Sequence, residues 1–437
     1  MNFNHAENLV DSTKAIRVIS TTEEMTMQSR PKKLMLALAG VFGMTLGTPI
    51  ATTQAETCIS PYIKGLTQPE KVMYLWALPA TPGEGEDFLA VIDVNLASPT
   101  YGSILKKVLV GSVGNEAHHI GYTDDRTKIW AASLNSDRFF IFDVATDPMN
   151  PKLIRIIDKV AKATGLSGPH TPYAIPGRML VSMASGPDGK GAGGLAEFTN
   201  DGNFIASHPA TNHPYETVVK PEFNRMITSA WFPQETWMKP LKDWQPSSWV
   251  NPNTMLVWDL KERKIIQTLT ASEPVMLAAR WMLKPGAKYG YNISNGGNSI
   301  WMFKMKDDGT FDYKKAGDNG AGCGPADLRQ SPDDKFLYVS CFASSEIQAW
   351  DISDPEKIKL HDTIQGVVQP NMMHVTFDGK RLYFTNSAIS SIDYSSRYSM
   401  QLIQIGRDGR LKLDPNFKID FSKAPDGPAR PHDMLLN

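Results

Sequence analysis

The sequence predicts an all-β fold, a seven-bladed β-propeller, and two observations support this prediction. A short hairpin pattern recurs seven times along the chain, and strand-like segments near the two ends have no partner within their own repeat. Four-stranded repeats at this period are typical of propeller blades. A β-sandwich pair or a helical repeat fits less well, because after residue 60 only residues 156–163 have a helical pattern.

Each copy of the hairpin begins with a run of alternating apolar residues, which often ends in Asp. A polar turn follows and leads into a second run. The copies are separated by roughly 45 to 60 residues, which suits a repeat of four short strands. The first runs occupy residues 88–93, 138–143, 194–198, 255–259, 299–303, 346–351 and 400–404.

A second signature, a turn followed by a β-rich segment, precedes most of the hairpins, for example at residues 224–229, 334–340 and 378–385. Each repeat therefore contains two strands before the last two. Residues 71–76 form a strand-like segment before the first hairpin, and residues 433–436 form another near the C-terminus. We expect these two segments to pair in one blade and close the ring.

The composition excludes some classes of partner. Hydrophobic residues make up 41% of the chain and charged residues 21%, which is ordinary for a globular protein with a full core. The net charge of −1 provides no field that would attract nucleic acid or an anionic membrane. Neither is expected as a partner.

Residues 1–55 have the pattern of a presequence with a secretory signal. Arg30, Lys32 and Lys33 precede an apolar run, and Ala55 ends a plausible cleavage site before Glu56. The run of about 13 residues is shorter than the roughly 20 needed to span a bilayer. We expect translation to start at Met25 or Met27, and a single periplasmic propeller domain, residues 56–437, without membrane insertion after signal removal. A buried or tail-anchoring helix is the alternative.

The three cysteines suit an exported protein with at most one disulfide. Cys323 and Cys341 flank the first two strands of one blade, so a disulfide or two buried thiols is expected there rather than catalysis. Cys58 follows the cleavage site and could reach the channel mouth, although lipidation is an alternative.

Several histidines occupy one register, at the entry to a blade, where propellers carry their chemistry. These candidate metal ligands are His118, His119, His170, His374 and His432. Neutral imidazoles that converge on one axis suit copper, zinc or iron. Because neighbours on a strand point to opposite faces, only one of His118 and His119 is expected to face the axis. The alternative is that these side chains bond only backbone and water.

Carboxylates at related positions could be further ligands, support the ligands, or act as acids and bases. Glu216 and Asp433 are the candidate catalytic residues, and Glu116 and Asp327 occupy similar positions. The remaining histidines and three tryptophans are assigned to structure. Surface positions are expected for His208, His213 and His361, and core packing for Trp231, Trp258 and Trp350.

From about residue 58 to its end, the chain resembles the selenium-binding protein / methanethiol oxidase family. The resemblance rests on several stretches in order, including His118-His119-Ile120-Gly121, His170-Thr171, Trp350-Asp351-Ile352-Ser353-Asp354-Pro355 and Asp378-Gly379-Lys380-Arg381-Leu382-Tyr383. It implies a copper-dependent oxidoreductase that oxidises methanethiol with O₂ to formaldehyde, hydrogen sulfide and hydrogen peroxide.

The chain departs from the family pattern at several positions. Residues 123–126 contain no Cys where family members often have Cys-x-x-Cys, so selenium binding through that motif is excluded. Tyr173 stands where the family has a further His, and we expect His374 to replace that imidazole. Two alternatives to the oxidase remain, a lactonase-type hydrolase with a divalent cation and a non-enzymatic metal- or selenium-binding scaffold.

Overall fold

The structure is a computed structural model that describes residues 59–81, 83–393, 398–423 and 428–437. The predicted presequence and Cys58 lie outside these residues. The strands are β1 Val72–Pro79, β2 Glu86–Asp93, β3 Ile104–Val113, β4 Ala117–Tyr122, β5 Lys128–Ser133, β6 Arg138–Asp143, β7 Lys152–Ile157, β8 Ser167–Ile175, β9 Arg178–Ser185, β10 Gly194–Thr199, β11 Phe204–Pro209, β12 Pro214–Lys220, β13 Arg225–Ala230, β14 Thr254–Asp259, β15 Lys264–Thr270, β16 Met276–Trp281, β17 Tyr289–Ser294, β18 Ser299–Met305, β19 Phe311–Asp318, β20 Pro325–Gln330, β21 Phe336–Cys341, β22 Glu346–Asp351, β23 Lys359–Gln365, β24 Met373–Val375, β25 Arg381–Thr385, β26 Ser399–Ile405, β27 Leu411–Asp420 and β28 Ala429–Leu436.

These strands form seven four-stranded antiparallel sheets, and the propeller prediction is confirmed. Six sheets use four consecutive strands, from β4–β7 (blade 2) to β24–β27 (blade 7). The seven predicted hairpin runs all lie in the third strand of a blade. The first strands of neighbouring blades contact one another around the ring and so line its central channel.

Blade 1 closes the ring as predicted. Its strand order is β28-β1-β2-β3, and β28 pairs antiparallel with β1, with Leu75 opposite Met434. The N- and C-terminal strands therefore share one sheet.

The blade cores follow the alternation of each strand, because apolar side chains on both faces are buried between neighbouring sheets. Trp258 and Trp350 are buried there, as predicted. The fourth strands carry the more exposed residues, for example β7 and β15. Burial is therefore greatest in the three inner strands of each blade.

Helices are short and lie in connections. In the described part of the chain they are α1 Val160–Thr164, α2 Gln234–Trp237 and four 3₁₀ turns, Pro221–Phe223, Leu241–Asp243, Pro246–Ser248 and Phe421–Lys423. The predicted helical segment begins later than expected, because Ile156 and Ile157 belong to β7. Among the described residues, none of the helices is long and apolar enough to cross a membrane.

Candidate metal centre and channel

A β-bulge near the start of several first strands controls what reaches the channel. Register shifts occur in β4, β8, β12, β16 and β20. A bulge sets two residues of one strand opposite a single partner and so breaks the alternation of faces. In β4 the shift lies between Ala117 and Ile120 and contains both His118 and His119. The expectation that only one of these imidazoles faces the axis is therefore wrong, because their ring centroids lie 4.6 Å apart in one group.

Four buried imidazoles form a group in the channel, which we call the histidine cluster: His118, His119, His170 and His432. The ring centroid of His118 lies 4.6 Å from that of His170 and 3.9 Å from that of His432. One ring nitrogen from each of His118, His119 and His432 lies within 4.8 Å of the others. Three blades, 1, 2 and 3, contribute to the cluster.

The hydrogen bonds of two cluster members fix their tautomers. His432 Nδ1 lies 3.0 Å from the Ser387 carbonyl oxygen, which can only accept, so Nδ1 carries the proton. His119 Nδ1 lies 3.4 Å from Asp433 Oδ2 and donates in the same way. The Nε2 atoms of both rings have no hydrogen-bond partner among the described residues.

A chain of hydrogen bonds fixes the tautomers of the other two cluster members, His170 and His118. The Thr171 hydroxyl donates to the Tyr215 carbonyl oxygen at 3.0 Å, so it accepts from His170 Nδ1 at 2.8 Å. His170 Nε2 is then an acceptor, and the His118 Nε2–H donates to it at 2.9 Å. This leaves the His118 Nδ1 lone pair, which is also without a partner in the described part of the chain.

Burial keeps three imidazoles of the cluster, those of His118, His170 and His432, neutral. Burial and the neighbouring imidazoles hold the pKa values of His118 and His170 well below the ordinary value. Burial and His119 lower the pKa of His432 to about 3. Burial would raise the pKa of Asp433, but hydrogen bonds from His119 and from the backbone N–H of Ile120 bring it below its usual value. Neutral imidazoles beside a carboxylate are the protonation states that metal ligation needs.

This arrangement fits a metal ion. Ligating histidines in proteins usually donate their other ring N–H to a carboxylate or a backbone carbonyl, as His119 and His432 do here. Buried polar atoms are rarely left without a partner, and each of the three histidines that lie within 4.8 Å has one ring nitrogen without a partner among the described residues. His170 contacts the group, but its own Nε2 is engaged by His118.

His374 is buried but is not one of the three histidines grouped within 4.8 Å. Its Nδ1 donates to the Met434 carbonyl oxygen at 3.2 Å, and its ring lines a separate cavity. Tyr173, which it was expected to compensate for, lines that cavity too.

The channel carboxylates tie neighbouring blades together. Glu216 Oε2 accepts from the backbone N–H of Ala279 at 2.8 Å and forms an ion pair with Arg280. Asp327 and Asp433 likewise accept backbone N–H groups of the next blade, at 2.9 and 3.1 Å. Of the two candidate catalytic residues, Asp433 touches the histidine cluster, whereas Glu216 is engaged with Arg280.

Two cavities flank the histidine cluster. The first, which we call the apolar chamber, measures about 120 Å³ and is lined by His118, His432, Tyr215, Trp231, Phe232, Trp244, Leu277 and Ile389, among others. The second, the polar chamber, measures about 460 Å³ and is lined by His119, Glu216, Arg280, Arg329, His374 and Asp433, among others. His118 and His432 therefore face the apolar chamber, and His119 faces the chamber that contains charged side chains.

Two residues differ from their sequence-based assignments. Trp231 belongs to the site, because its ring stacks on His118 at 5.9 Å and lies 5.0 Å from His170. His213 is buried rather than at the surface. Its Nδ1 donates to the Ala184 carbonyl oxygen at 2.8 Å, and its Nε2 accepts the Val250 N–H at 2.9 Å. His208 is half-buried, and His361 is exposed as expected.

The remaining cysteines are structural. Cys323 and Cys341 form a disulfide, one of the two expected arrangements. It links the start of blade 6 to the end of its second strand.

Comparisons with known proteins agree with the fold and the resemblance. The model of the 56-kDa selenium-binding protein family, SBP56, matches residues 53–437. A methanethiol oxidase from Hyphomicrobium sp. is 34% identical over 423 residues, which cover 93% of this chain and 96% of that protein.

Solved structures agree as well. The hypothetical selenium-binding protein from Sulfolobus tokodaii has a TM-score of 0.76 at 25% identity and covers 85% of this chain and 94% of its own. A periplasmic gluconolactonase from Pseudomonas aeruginosa has a TM-score of 0.60 at 11% identity, over 84% and 99% of the two chains, and is similar in fold alone. The family match spans the whole described propeller, and the chain therefore belongs to the 56-kDa selenium-binding protein family.

Proposed function

We propose that the protein is a copper-dependent oxidoreductase that oxidises a small thiol, methanethiol, with O₂. The balanced reaction consumes methanethiol, O₂ and water and yields formaldehyde, hydrogen sulfide and hydrogen peroxide. The observation that carries the proposal is the set of three buried, adjacent imidazoles with unpartnered nitrogens in the described channel. A relative named methanethiol oxidase that aligns over 93% of the chain supports the choice of reaction.

Within this proposal, His118, His119 and His432 would hold the metal. Imidazole nitrogen suits copper, zinc and iron. Zinc has no redox chemistry of its own, and the resemblance to the methanethiol oxidase family favours copper over iron. In each of these rings one nitrogen is held by a hydrogen bond, and the other has no partner among the described residues and keeps its lone pair. Because the pKa values of His118 and His432 lie below the ordinary value, neither ring would have to lose a proton for the ion to bind.

The other residues of the site orient the ligands and control water. Asp433 holds the His119 ring, Ser387 holds that of His432, and His170 holds that of His118. Burial raises the pKa of Tyr215 well above its ordinary value, so its hydroxyl stays protonated beside the cluster. Trp231 stacks on His118 and provides an apolar wall on that side.

The carboxylates argue for this function over a lactonase-type hydrolase. A hard divalent cation prefers oxygen ligands, and the carboxylates in the described part of the channel include those of Glu216, Asp327 and Asp433. Each of these accepts a backbone N–H of the next blade. The similarity to a gluconolactonase extends to the fold alone.

We also propose that the protein acts in the periplasm. The basic, apolar and small-residue pattern of residues 30–55 supports export. The Cys323–Cys341 disulfide suits an oxidising compartment. The mature chain should begin near Glu56, and mass spectrometry that finds Met1 or Met25 intact on periplasmic material would contradict export.

Elemental analysis of the purified protein, combined with methanethiol-dependent O₂ uptake, tests the function. We expect copper in the preparation and equal amounts of peroxide and formaldehyde per O₂ consumed. Calcium in place of copper would favour the hydrolase, and a protein without metal would favour the scaffold.

A further inference from the structure

Two long connections cover the histidine cluster at one end of the channel. In most blades the second and third strands are joined by a short turn, such as residues 134–137 in blade 2. In blade 4 this connection runs over residues 231–253, and in blade 7 over 386–398, of which the structure describes 386–393 and 398. Because both connect equivalent strands, they lie at the same end of the propeller. We call the described parts of these two segments the roof.

The roof is apolar where it faces the cluster. Residues 231–249 contain four tryptophans, and Trp231 stacks on Trp237 with centroids 4.7 Å apart. Phe232 fills the space between Trp244 and Trp249, at 4.8 and 5.0 Å. From blade 7, Ile389 belongs to the same buried group.

The apolar chamber lies between this roof and two imidazoles. Phe232, Trp244, Ile389 and Ile392 come from the roof, Leu277 from β16, and His118 and His432 from the cluster. Its volume of about 120 Å³ is somewhat less than the roughly 150 Å³ of an apolar protein cavity that takes up benzene. A guest of up to about four carbons would therefore fit.

We propose that the apolar chamber binds the alkyl group of the substrate thiol, and that the roof limits the length of that group. This inference rests on the proposed function, which places the sulfur at the metal. The polar chamber is a poorer match for an alkyl group, because the charged side chains of Glu216, Arg280 and Arg329 are among the residues that line it. The substrates are then short alkyl thiols, from methanethiol to butanethiol.

The first test measures thiol binding without turnover. The protein is loaded with Co²⁺ and titrated anaerobically with methanethiol, butanethiol and hexanethiol, using the thiolate-to-cobalt absorption as the signal. Affinity should rise about threefold to fourfold per methylene up to butanethiol and fall for hexanethiol. Phe232→Ala should restore hexanethiol binding at least tenfold. The matched control Leu283→Ala, which trims the polar chamber, should leave the profile unchanged.

An unchanged chain-length profile in Phe232→Ala, or a shift in Leu283→Ala instead, would overturn the inference. Ile389→Ala provides a second opening of the roof if Phe232→Ala does not fold.

Xenon binding to the apolar chamber, observed in xenon-pressurised crystals of the metal-free protein, is a second test that depends on neither metal nor activity. A xenon atom between Leu277 and Ile389 is the expected result, and its absence would also overturn the inference. Failure of the proposed function would look different: xenon would still occupy the chamber, while the purified protein would hold no copper and consume no O₂.

Discussion

His432 and His213 are both buried histidines near the start of a blade, yet only His432 has the properties of a ligand. Each donates Nδ1–H to a backbone carbonyl oxygen, of Ser387 and Ala184 respectively. His213 Nε2 then accepts the Val250 N–H, whereas His432 Nε2 has no partner among the residues described. The comparison shows that neither burial nor residue type marks a metal site. The state of the second nitrogen does.

The largest effect should come from His432→Ala. We expect copper content to fall to background and thiol oxidation to fall at least 100-fold. The melting temperature of the metal-free protein should change little, because the Ser387 carbonyl keeps its hydrogen bond from Asn371. Elemental analysis and thermal unfolding on the same samples measure both. Full copper content in this variant would remove His432 from the site.

Asp433→Asn should have the next largest effect. The carboxylate that orients His119 becomes a neutral amide, and loss of such a partner typically lowers metal affinity or activity 10- to 100-fold. Competition with a copper chelator would give the affinity. Wild-type affinity in this variant would mean that Asp433 only joins blades 1 and 2, through its bond to the Ile120 N–H.

His213→Ala should have the opposite effect to His432→Ala: it should lower stability and leave copper content unchanged. The variant leaves the Val250 N–H without its acceptor, so the free energy of unfolding should fall by about 2 kcal/mol. Copper content should match that of the wild type. Urea unfolding with parallel metal analysis tests this, and a loss of copper without a loss of stability would break the distinction between the two histidines.

The smallest effect is a change in the pH dependence of stability. His432 titrates near pH 3 when folded and near its ordinary value of 6.5 when unfolded. Between these values the unfolded chain binds the extra proton, so stability is lost as the pH falls, by about 1.4 kcal/mol per pH unit for each such histidine. Metal-free His432→Ala should show a shallower slope than the wild type in urea unfolding between pH 6.5 and 5. Equal slopes would contradict a neutral, buried His432.

The fold could be predicted from the sequence because a propeller repeats a local signal. Alternation within each hairpin and the turns between strands recur seven times, and the two unpaired end segments, 71–76 and 433–436, indicate closure. The position of the histidines at the blade entries could also be predicted from the sequence. The helix boundary at Val160 was not, because apolar residues at the end of β7 mimic a helical period.

The details of the site depend on contacts that no local pattern encodes. The bulge in β4 is a feature of its pairing with β5, and the shifted segment contains both His118 and His119. The burial of His213 depends on Val250, far along the blade 4 connection. Four tryptophans between residues 231 and 249, in a segment without strand alternation, were the one signal that could have indicated the roof.

Ring closure also sets the order of events during synthesis. Asp433 bonds Ile120 across 313 residues of sequence, and His432 lies on the same strand, β28. A nascent chain therefore completes blades 2 to 7 before it contains the last imidazole of the cluster. In the proposed copper site the ion could be held only after β28 has paired with β1, so metal binding would require that the ring has closed. A chaperone or transporter that delivers the ion would accordingly meet a finished propeller rather than an emerging chain.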